Sequence, residues 1–387
     1  MAREFDSKLP DVGTTIFTVM SKLAADTGAI NLSQGFPSFD PPQALTDRVN
    51  WHLTHGGNQY APMPGLPSLR QVIADKTAHF QGRKLDIEAE ITVSTGATEG
   101  LFSAITALVH AGDEVIVFDP AYDSYEPAVN LAGGVTRHVP LHIDANGHDF
   151  HPDWQRVADT VNDKTRLIVL NFPHNPTGAV LTREDLDTLA DIVRNTGCYL
   201  VSDEVYEHIV FDDAPHHSLL SHDELWERSF VISSFGKTLH ATGWKLGYCA
   251  APPRLTEEFR KVHQFTTFAV STPMQHGVAD YLAEHPEWCR ELPAFYQQKR
   301  DLFCDLMRDS RFRLLPTRST FFQVLDYGEI TDEADTALAE RWTRDIGVAS
   351  IPLSVFCAEP FTGTRLRFCF GKDDQTLADA AHRLRQL

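Results

Sequence analysis

The 387-residue sequence has no Cys-x-x-Cys pair: its six cysteines, Cys198, Cys249, Cys289, Cys304, Cys357 and Cys369, are scattered. That argues against a zinc site and against a disulfide framework. Basic charge is scarce as well. Lysine and arginine number 34 against 53 acids, a net charge of −19. This balance disfavours nucleic acid and anionic membrane as partners, while leaving room for a small anion at a local cationic site. No apolar run approaches the length of a membrane span. The opening Met1-Ala2-Arg3-Glu4-Phe5-Asp6 lacks the apolar core of a signal peptide, so a cytoplasmic protein is expected. Internal repeats, low-complexity tracts and Gly/Ser linkers are also missing. What is present, 42% hydrophobic and 22% charged residues, can bury a large core, and the length predicts two domains.

The most informative stretch is Ser233-Ser234-Phe235-Gly236-Lys237-Thr238, with Lys245 eight residues past Lys237 in Gly243-Trp244-Lys245-Leu246-Gly247-Tyr248. The apolar run Phe230-Val231-Ile232 leads into a glycine turn that presents one lysine among hydroxyls. A second cation nearby is expected to push that amine toward its neutral form, which makes it a nucleophile for carbonyls. The competing reading is an ordinary loop lysine.

Three further segments supply partners for such an amine. Asn175, in Asn171-Phe172-Pro173-His174-Asn175-Pro176-Thr177-Gly178, follows the apolar run Leu167-Ile168-Val169-Leu170, just past the carboxyl end of a predicted strand. Asp203 and Tyr206 follow a second such run, Tyr199-Leu200-Val201-Ser202. Ile91-Thr92-Val93-Ser94 leads through Thr95-Gly96-Ala97-Thr98 into a helical pattern, and a helix start offers free N–H groups and positive dipole to a phosphate. Ligands of open α/β sheets bind at the carboxyl ends of strands, so these groups are expected to converge.

Seven apolar runs between about residues 90 and 252 are predicted as strands: 90–95, 114–118, 136–141, 167–171, 199–202, 230–234 and 246–251. Amphipathic stretches such as Glu184 to Asn195 separate most of them. This alternation predicts an α/β fold with a mostly parallel seven-stranded sheet sandwiched by helices. Residues 46–284 are assigned to this large domain. Residues 1–45 and 285–387 are assigned to a smaller α+β domain made from both chain ends, with helices around 293–307 and 334–346 and strands near Phe312 and Phe321.

Together, Asn31-Leu32-Ser33-Gln34-Gly35-Phe36-Pro37, Asn58-Gln59-Tyr60, Asn175-Pro176-Thr177-Gly178, Asp203-Glu204-Val205-Tyr206, Lys237 and Arg367-Phe368-Cys369-Phe370 resemble the motifs of fold type I, class I/II pyridoxal-phosphate aminotransferases. The branch resembled is that of methionine aminotransferase and kynurenine aminotransferase (glutamine transaminase K). The resemblance runs from about Thr14 to the C-terminus. It implies pyridoxal 5′-phosphate as cofactor, no metal, amino acid and 2-oxo acid substrates, and a homodimer.

Residue by residue, the resemblance implies that Lys237 is the Schiff-base lysine and proton shuttle and that Asp203 pairs with the pyridine nitrogen. Asn175 and Tyr206 would bond the ring's 3′-oxygen, and Tyr122 would stack on the ring, with Tyr125 three residues away as a rival. Gly96, Ala97 and Thr98 would hold the phosphate together with Ser234 and Lys245. Many relatives carry arginine at the position of Lys245, so a point charge replaces a bidentate fork. Arg367 matches the arginine that grips the substrate α-carboxylate, with Arg365 as the competing choice, and Gly35 would close over the same group. Asn175 also borders the substrate. Phe17 and Tyr60 match aromatic pocket positions, Tyr60 being donated by the other subunit.

The implied activity is transfer of an amino group from a neutral apolar or aromatic amino acid to a 2-oxo acid by a ping-pong mechanism. A carbon-sulfur β-lyase of the same fold is the alternative, and a non-enzymatic regulatory module a remote one. The loop bearing Asp212, Asp213, His216, His217 and His222 lacks a metal-ligand spacing such as His-Glu-x-x-His, and is expected to be a solvated loop.

Overall fold

The computed structural model describes residues 6–144, 149–359 and 363–387; the reading of the N-terminal leader at residues 1–5 lies outside them. The seven predicted runs all form strands: β1 (Ile91–Ser94), β2 (Glu114–Asp119), β3 (Val135–Pro140), β4 (Thr165–Asn171), β5 (Tyr199–Asp203), β6 (Ser229–Ser234) and β7 (Gly247–Ala250). They make one sheet in the order β1-β7-β6-β5-β4-β2-β3. Strand β7 runs antiparallel to both its neighbours, and the other pairings are parallel.

Side chains sort to the two faces with the period of two that a pleated strand imposes. Ile116, Phe118, Ile168, Leu170, Leu200, Val231 and Tyr248 join one buried cluster, and the alternating Val115, Val117, Leu167, Val169, Val201, Phe230 and Ile232 join another. Both faces are therefore covered, as near-continuous apolar strands require. The second cluster also contains residues of α1 (Gly96–Leu108), α2 (Tyr125–Ala132) and α3 (Pro253–Thr266).

Local sequence explains the element ends. The helix Arg183–Thr196 begins with a reciprocal cap in which Thr182 Oγ1 accepts from the Asp185 N–H at 3.1 Å and Asp185 Oδ2 accepts from the Thr182 N–H at 2.7 Å. It ends at Gly197, whose φ of 73° suits a residue without Cβ. The helix expected from Pro293 begins earlier and spans Trp288–Met307. Cys289 and Leu292 are buried, so core packing holds the turn before Pro293 although proline gives up a hydrogen bond there.

A third core draws on both chain ends. Met20 and Leu23 from the helix Ile16–Thr27 meet Phe303, Met307, Leu338, Trp342, Leu366, Phe368 and Leu377. Its sheet is antiparallel, with β8 (Arg313–Leu314), β9 (Phe322–Asp326), β10 (Ile351–Pro352) and β11 (Arg365–Cys369) in the order β8-β9-β11-β10. Tyr206, Ile209 and Phe211, from the segment after β5, also belong to this core. The carboxyl ends of the large sheet thus face the third core. Among the described residues, no helix is long and apolar enough to cross a membrane.

Candidate active site

Strands β1, β4, β5 and β6 all point the same way, so Ser94, Asn171, Asp203 and Ser234 emerge along one edge of the sheet. Asn171 and Asp203 are direct partners in register. A cavity at this edge is lined by Gly96, Ala97, Thr98, Tyr122, Asn175, Asp203, Tyr206, Ser234, Lys237 and Lys245, with Asn171, Val205, Leu101 and Thr242. Every residue expected at the cofactor is therefore in one place except Tyr60.

Lys237 sits on a four-residue helix (Phe235–Thr238) directly after β6. Its Nζ donates to the Gly35 carbonyl at 2.9 Å and lies 5.6 and 5.5 Å from the ring centroids of Tyr206 and Phe321. Burial pulls its pKa down to about 8. Sequence reasoning attributed this shift to the second cation. Burial leads instead, and Arg367 acts ahead of Lys245, because removing solvent from an ammonium costs more than a neighbouring charge adds.

Asp203 is buried at the end of β5, and burial raises its pKa to about 6. The Tyr125 phenol donates to Asp203 Oδ2 at 2.8 Å, the Val205 N–H lies 3.4 Å from Oδ1, and Asn171 Nδ2 donates to the Asp203 carbonyl at 3.1 Å. The pair of tyrosines is thereby divided. Tyr122 lines the cavity together with Thr98, while Tyr125 lies behind it against Asp203.

The start of α1 is built for an anion. Thr95 makes no side-chain cap, so N–H groups of the first turn are left to the cavity. Gly96 has φ of 68°, and a Cβ there would lie 3.4 Å from Lys245 Cε. Gly247 is needed for close approach, since a Cβ on it would come within 3.1 Å of Ala97 N. Lys245 itself has φ of 51°. Ser234 Oγ accepts from the Gly236 N–H at 3.2 Å. Behind the turn, Glu99 accepts from the Thr95 N–H at 3.0 Å and pairs with buried His263 at 3.0 Å.

Arg367 lies on β11 and is fully buried. Its Nη1 donates to Asn175 Oδ1 at 2.9 Å, its Nη2 to the Ser33 carbonyl at 2.7 Å, and its Nε has no hydrogen-bond partner among the described residues. The guanidinium lies 4.0, 5.3 and 5.9 Å from the ring centroids of Phe322, Phe17 and Phe356. Arg365 turns instead toward Asp326 and Phe150. Tyr60 is 82% exposed in the single chain and packs edge-on to Phe268, outside the cavity.

Not foreseen from the sequence are the role of Asn171, the bond from Tyr125 to Asp203 and a buried ionic network next to Tyr206. Lys76 Nζ donates to Glu207 Oε2 and to the Tyr248 hydroxyl, both at 2.7 Å, and Tyr248 donates to Glu207 Oε1 at 2.9 Å. Although burial alone would raise it, Lys76 holds the Glu207 carboxyl well below its ordinary range. The histidine loop is not simply solvated. Glu204 is buried and takes up Ser202 Oγ at 2.8 Å and His216 Nε2 at 2.9 Å, and Asp212 pairs with Arg300. Among the described residues no group of three or more His, Cys, Asp or Glu could hold a metal ion.

Comparison with known proteins shows the family of the chain. Residues 27–384 match the family model for aminotransferase class I and II. Methionine aminotransferase of Escherichia coli is 49% identical over 381 residues, covering 98% of each chain. Kynurenine–oxoglutarate transaminase of Dictyostelium discoideum is 34% identical, covering 97% of this chain and 94% of its own. The crystal structure of E. coli YbdL, reported with a methionine aminotransferase function, superposes with a TM-score of 0.96 at 48% identity over the whole of both chains. A buried low-pKa lysine, a buried aspartate and a cationic, uncapped helix start lining one cavity fit pyridoxal 5′-phosphate, and the chain belongs to the class I and II aminotransferases, pyridoxal-phosphate enzymes of the transaminase type.

Proposed function

We propose that the enzyme moves the amino group of a neutral apolar or aromatic L-amino acid, such as methionine, phenylalanine, tyrosine, tryptophan, kynurenine, leucine or glutamine, to a 2-oxo acid in a ping-pong cycle. The observation that carries this reading is the shared cavity of Lys237 and Asp203, joined through Asn175 to Arg367. Pyridoxal 5′-phosphate, when bound, supplies an aldehyde for the substrate amine and a ring that takes up the electrons released with the α-proton.

The remaining work falls to the chain. Lys237 Nζ, partly neutral near pH 8, is the amine that would hold the cofactor aldehyde and would carry the proton to and from the substrate α-carbon. The Asp203 carboxylate would keep the ring nitrogen protonated. Asn175 and Tyr206 would hold the ring oxygen, Tyr122 would cover the ring face, and the first turn of α1 with Ser234 and Lys245 would hold the phosphate. Arg367 takes the substrate α-carboxylate in a bidentate pair, with the Gly35 backbone closing over it.

The preference for neutral side chains rests on what surrounds Arg367. Phe17, Phe322 and Phe356 crowd the guanidinium, and Asp123 lies within its electrostatic reach. A distal carboxylate would meet rings and an acid there. The exposed aromatics Tyr60, Phe265 and Phe268 form the kind of surface that a second copy covers, so a homodimer with Tyr60 reaching the partner's cavity is part of the proposal. So are a cytoplasmic location and the division into residues 46–284 and residues 1–45 with 285–387, the latter supported by the third core, which draws mostly on both chain ends.

The test is a pair of half-reactions followed by absorbance. L-methionine should convert the bound aldehyde to the amine form with release of its 2-oxo acid, and a different 2-oxo acid should restore the starting spectrum. Failure of every neutral donor, with rapid conversion by aspartate, would overturn the substrate reading.

A further inference from the structure

Tyr125 belongs to neither the sheet edge nor the cavity lining, yet it ends on the carboxylate that the proposed function assigns to the ring nitrogen. It opens α2, three residues after Tyr122, and is 3% exposed. Its ring packs edge-on to Tyr122 at 5.7 Å. Its hydroxyl donates to Asp203 Oδ2 at 2.8 Å. Among the described residues the other hydrogen-bond donor to this carboxylate is the Val205 N–H, 3.4 Å from Oδ1, a length at which a hydrogen bond is weak. One carboxylate oxygen is therefore tied back into the protein, while Asp203 also lines the cavity.

We propose that Tyr125 is a positioning residue for Asp203: its phenol fixes which oxygen faces the ring nitrogen and keeps the buried carboxylate ionised so that it can hold a proton there. This rests on the assignment of Asp203 given above. The physical argument is that a buried carboxylate drifts toward its neutral form, and a hydrogen bond donated to the charged form opposes that drift. Burial does raise Asp203, to about 6, and Tyr125 is the first of the groups that counter it. Lys237 also opposes the rise, while Glu204 adds to it; Tyr122 and Tyr206 lie within electrostatic reach on the cavity side. The phenol is a dependable donor because burial and the adjacent carboxylate hold its own pKa well above 10. A phenylalanine would fill the same space without donating.

The experiment reads the carboxylate directly in the full-length chain. The carboxyl infrared band of Asp203, isolated by difference against Asp203→Asn, is titrated in cofactor-free wild type and Tyr125→Phe, and pyridoxal 5′-phosphate affinity is measured against pH in both. Loss of a hydrogen bond to a charged group should raise the Asp203 midpoint by about one to two pH units, and the acid limb of cofactor affinity should move with it. Placing 3-fluorotyrosine, a stronger donor, at position 125 should move both the other way. If Tyr125→Phe leaves the midpoint and the acid limb in place and lowers only the melting temperature, Tyr125 is a packing residue and the inference is overturned. The cofactor-free titration does not depend on the assigned role of Asp203; that role fails separately if Asp203→Asn leaves the half-reactions at their wild-type rate.

Discussion

Arg367 Nη1 and Asn175 Oδ1 are joined at 2.9 Å across the two halves of the molecule. Arg367 comes from β11 of the third core and Asn175 from the loop after β4. The residue proposed to hold the substrate is thus fixed directly to one proposed to hold the cofactor ring. Arg367→Lys should weaken all amino acid donors by a similar factor, about 2 to 5 kcal/mol for a disrupted buried charge pair, measured as kcat/KM across a donor panel. Phe17→Ala should instead reorder the donors. A loss confined to one donor in Arg367→Lys would mean that the residue contacts side chains.

Lys237 carries a pH signature. Its folded pKa of about 8 lies below the ordinary lysine value of 10.5, so between these limits the unfolded chain holds the extra proton. Stability contributed by this group therefore rises as pH increases from about 8 to about 10.5 and is level below 8. Urea unfolding of cofactor-free wild type and Lys237→Met should show wild type gaining on the variant across that interval. Labelling of Lys237 by an amine reagent should have its midpoint near pH 8.

With cofactor present, borohydride should attach pyridoxal phosphate to Lys237, as peptide mapping would reveal. An adduct on Lys245 would reverse the roles of the two lysines. Lys237→Ala should still bind the cofactor while turnover falls by several orders of magnitude, the scale expected when nucleophile and base are lost together.

Asp203→Asn separates chemistry from folding. Its half-reaction should slow strongly while the thermal midpoint stays near that of wild type. A carboxylate serving only as a cap or surface group is worth about 0.5 to 2 kcal/mol, so a loss of stability on that scale with an unchanged rate would make Asp203 a structural acid.

Reaction class is open to a direct product assay. A cysteine conjugate offered with a 2-oxo acid should yield amino transfer. Stoichiometric ammonia and pyruvate, with no amino transfer to any acceptor, would identify a carbon-sulfur β-lyase instead.

The sheet was legible because most of its strands are short apolar runs that bury both faces, the edge strand β3 with only Val139 buried being the exception; even β7, flanked by glycine and carrying no mark of direction, was visible as a strand. Lys237, Asp203 and Asn175 were legible because their strands end beside them. Other features could not be read along the chain. Tyr125 and Tyr122 have the same chemistry, and only the helix start at Tyr125 turns one to Asp203 and the other to the cavity. Arg365 and Arg367 share a strand face, and the choice between them depends on Asp326 and Asn175 from distant segments. The Lys76–Glu207 pair spans 131 positions. The acidity of Lys237 follows from burial, a property of the assembled fold.

The connector between β6 and β7 sets a distance. Because β7 runs antiparallel to β6, the chain leaves the sheet at Ser234 and re-enters it at Gly247, and the Phe235 N–H bonded to the Leu246 carbonyl at 3.0 Å closes the neck of that excursion. Lys237 stands on the outgoing limb and Lys245 on the returning one. The span from amine to anion-facing cation is therefore a matter of residue count more than of residue type. Substitutions at exposed positions within the excursion should be tolerated, whereas inserting or deleting even one residue between 237 and 245 would move one cation relative to the other and leave the cofactor able to satisfy only one end at a time.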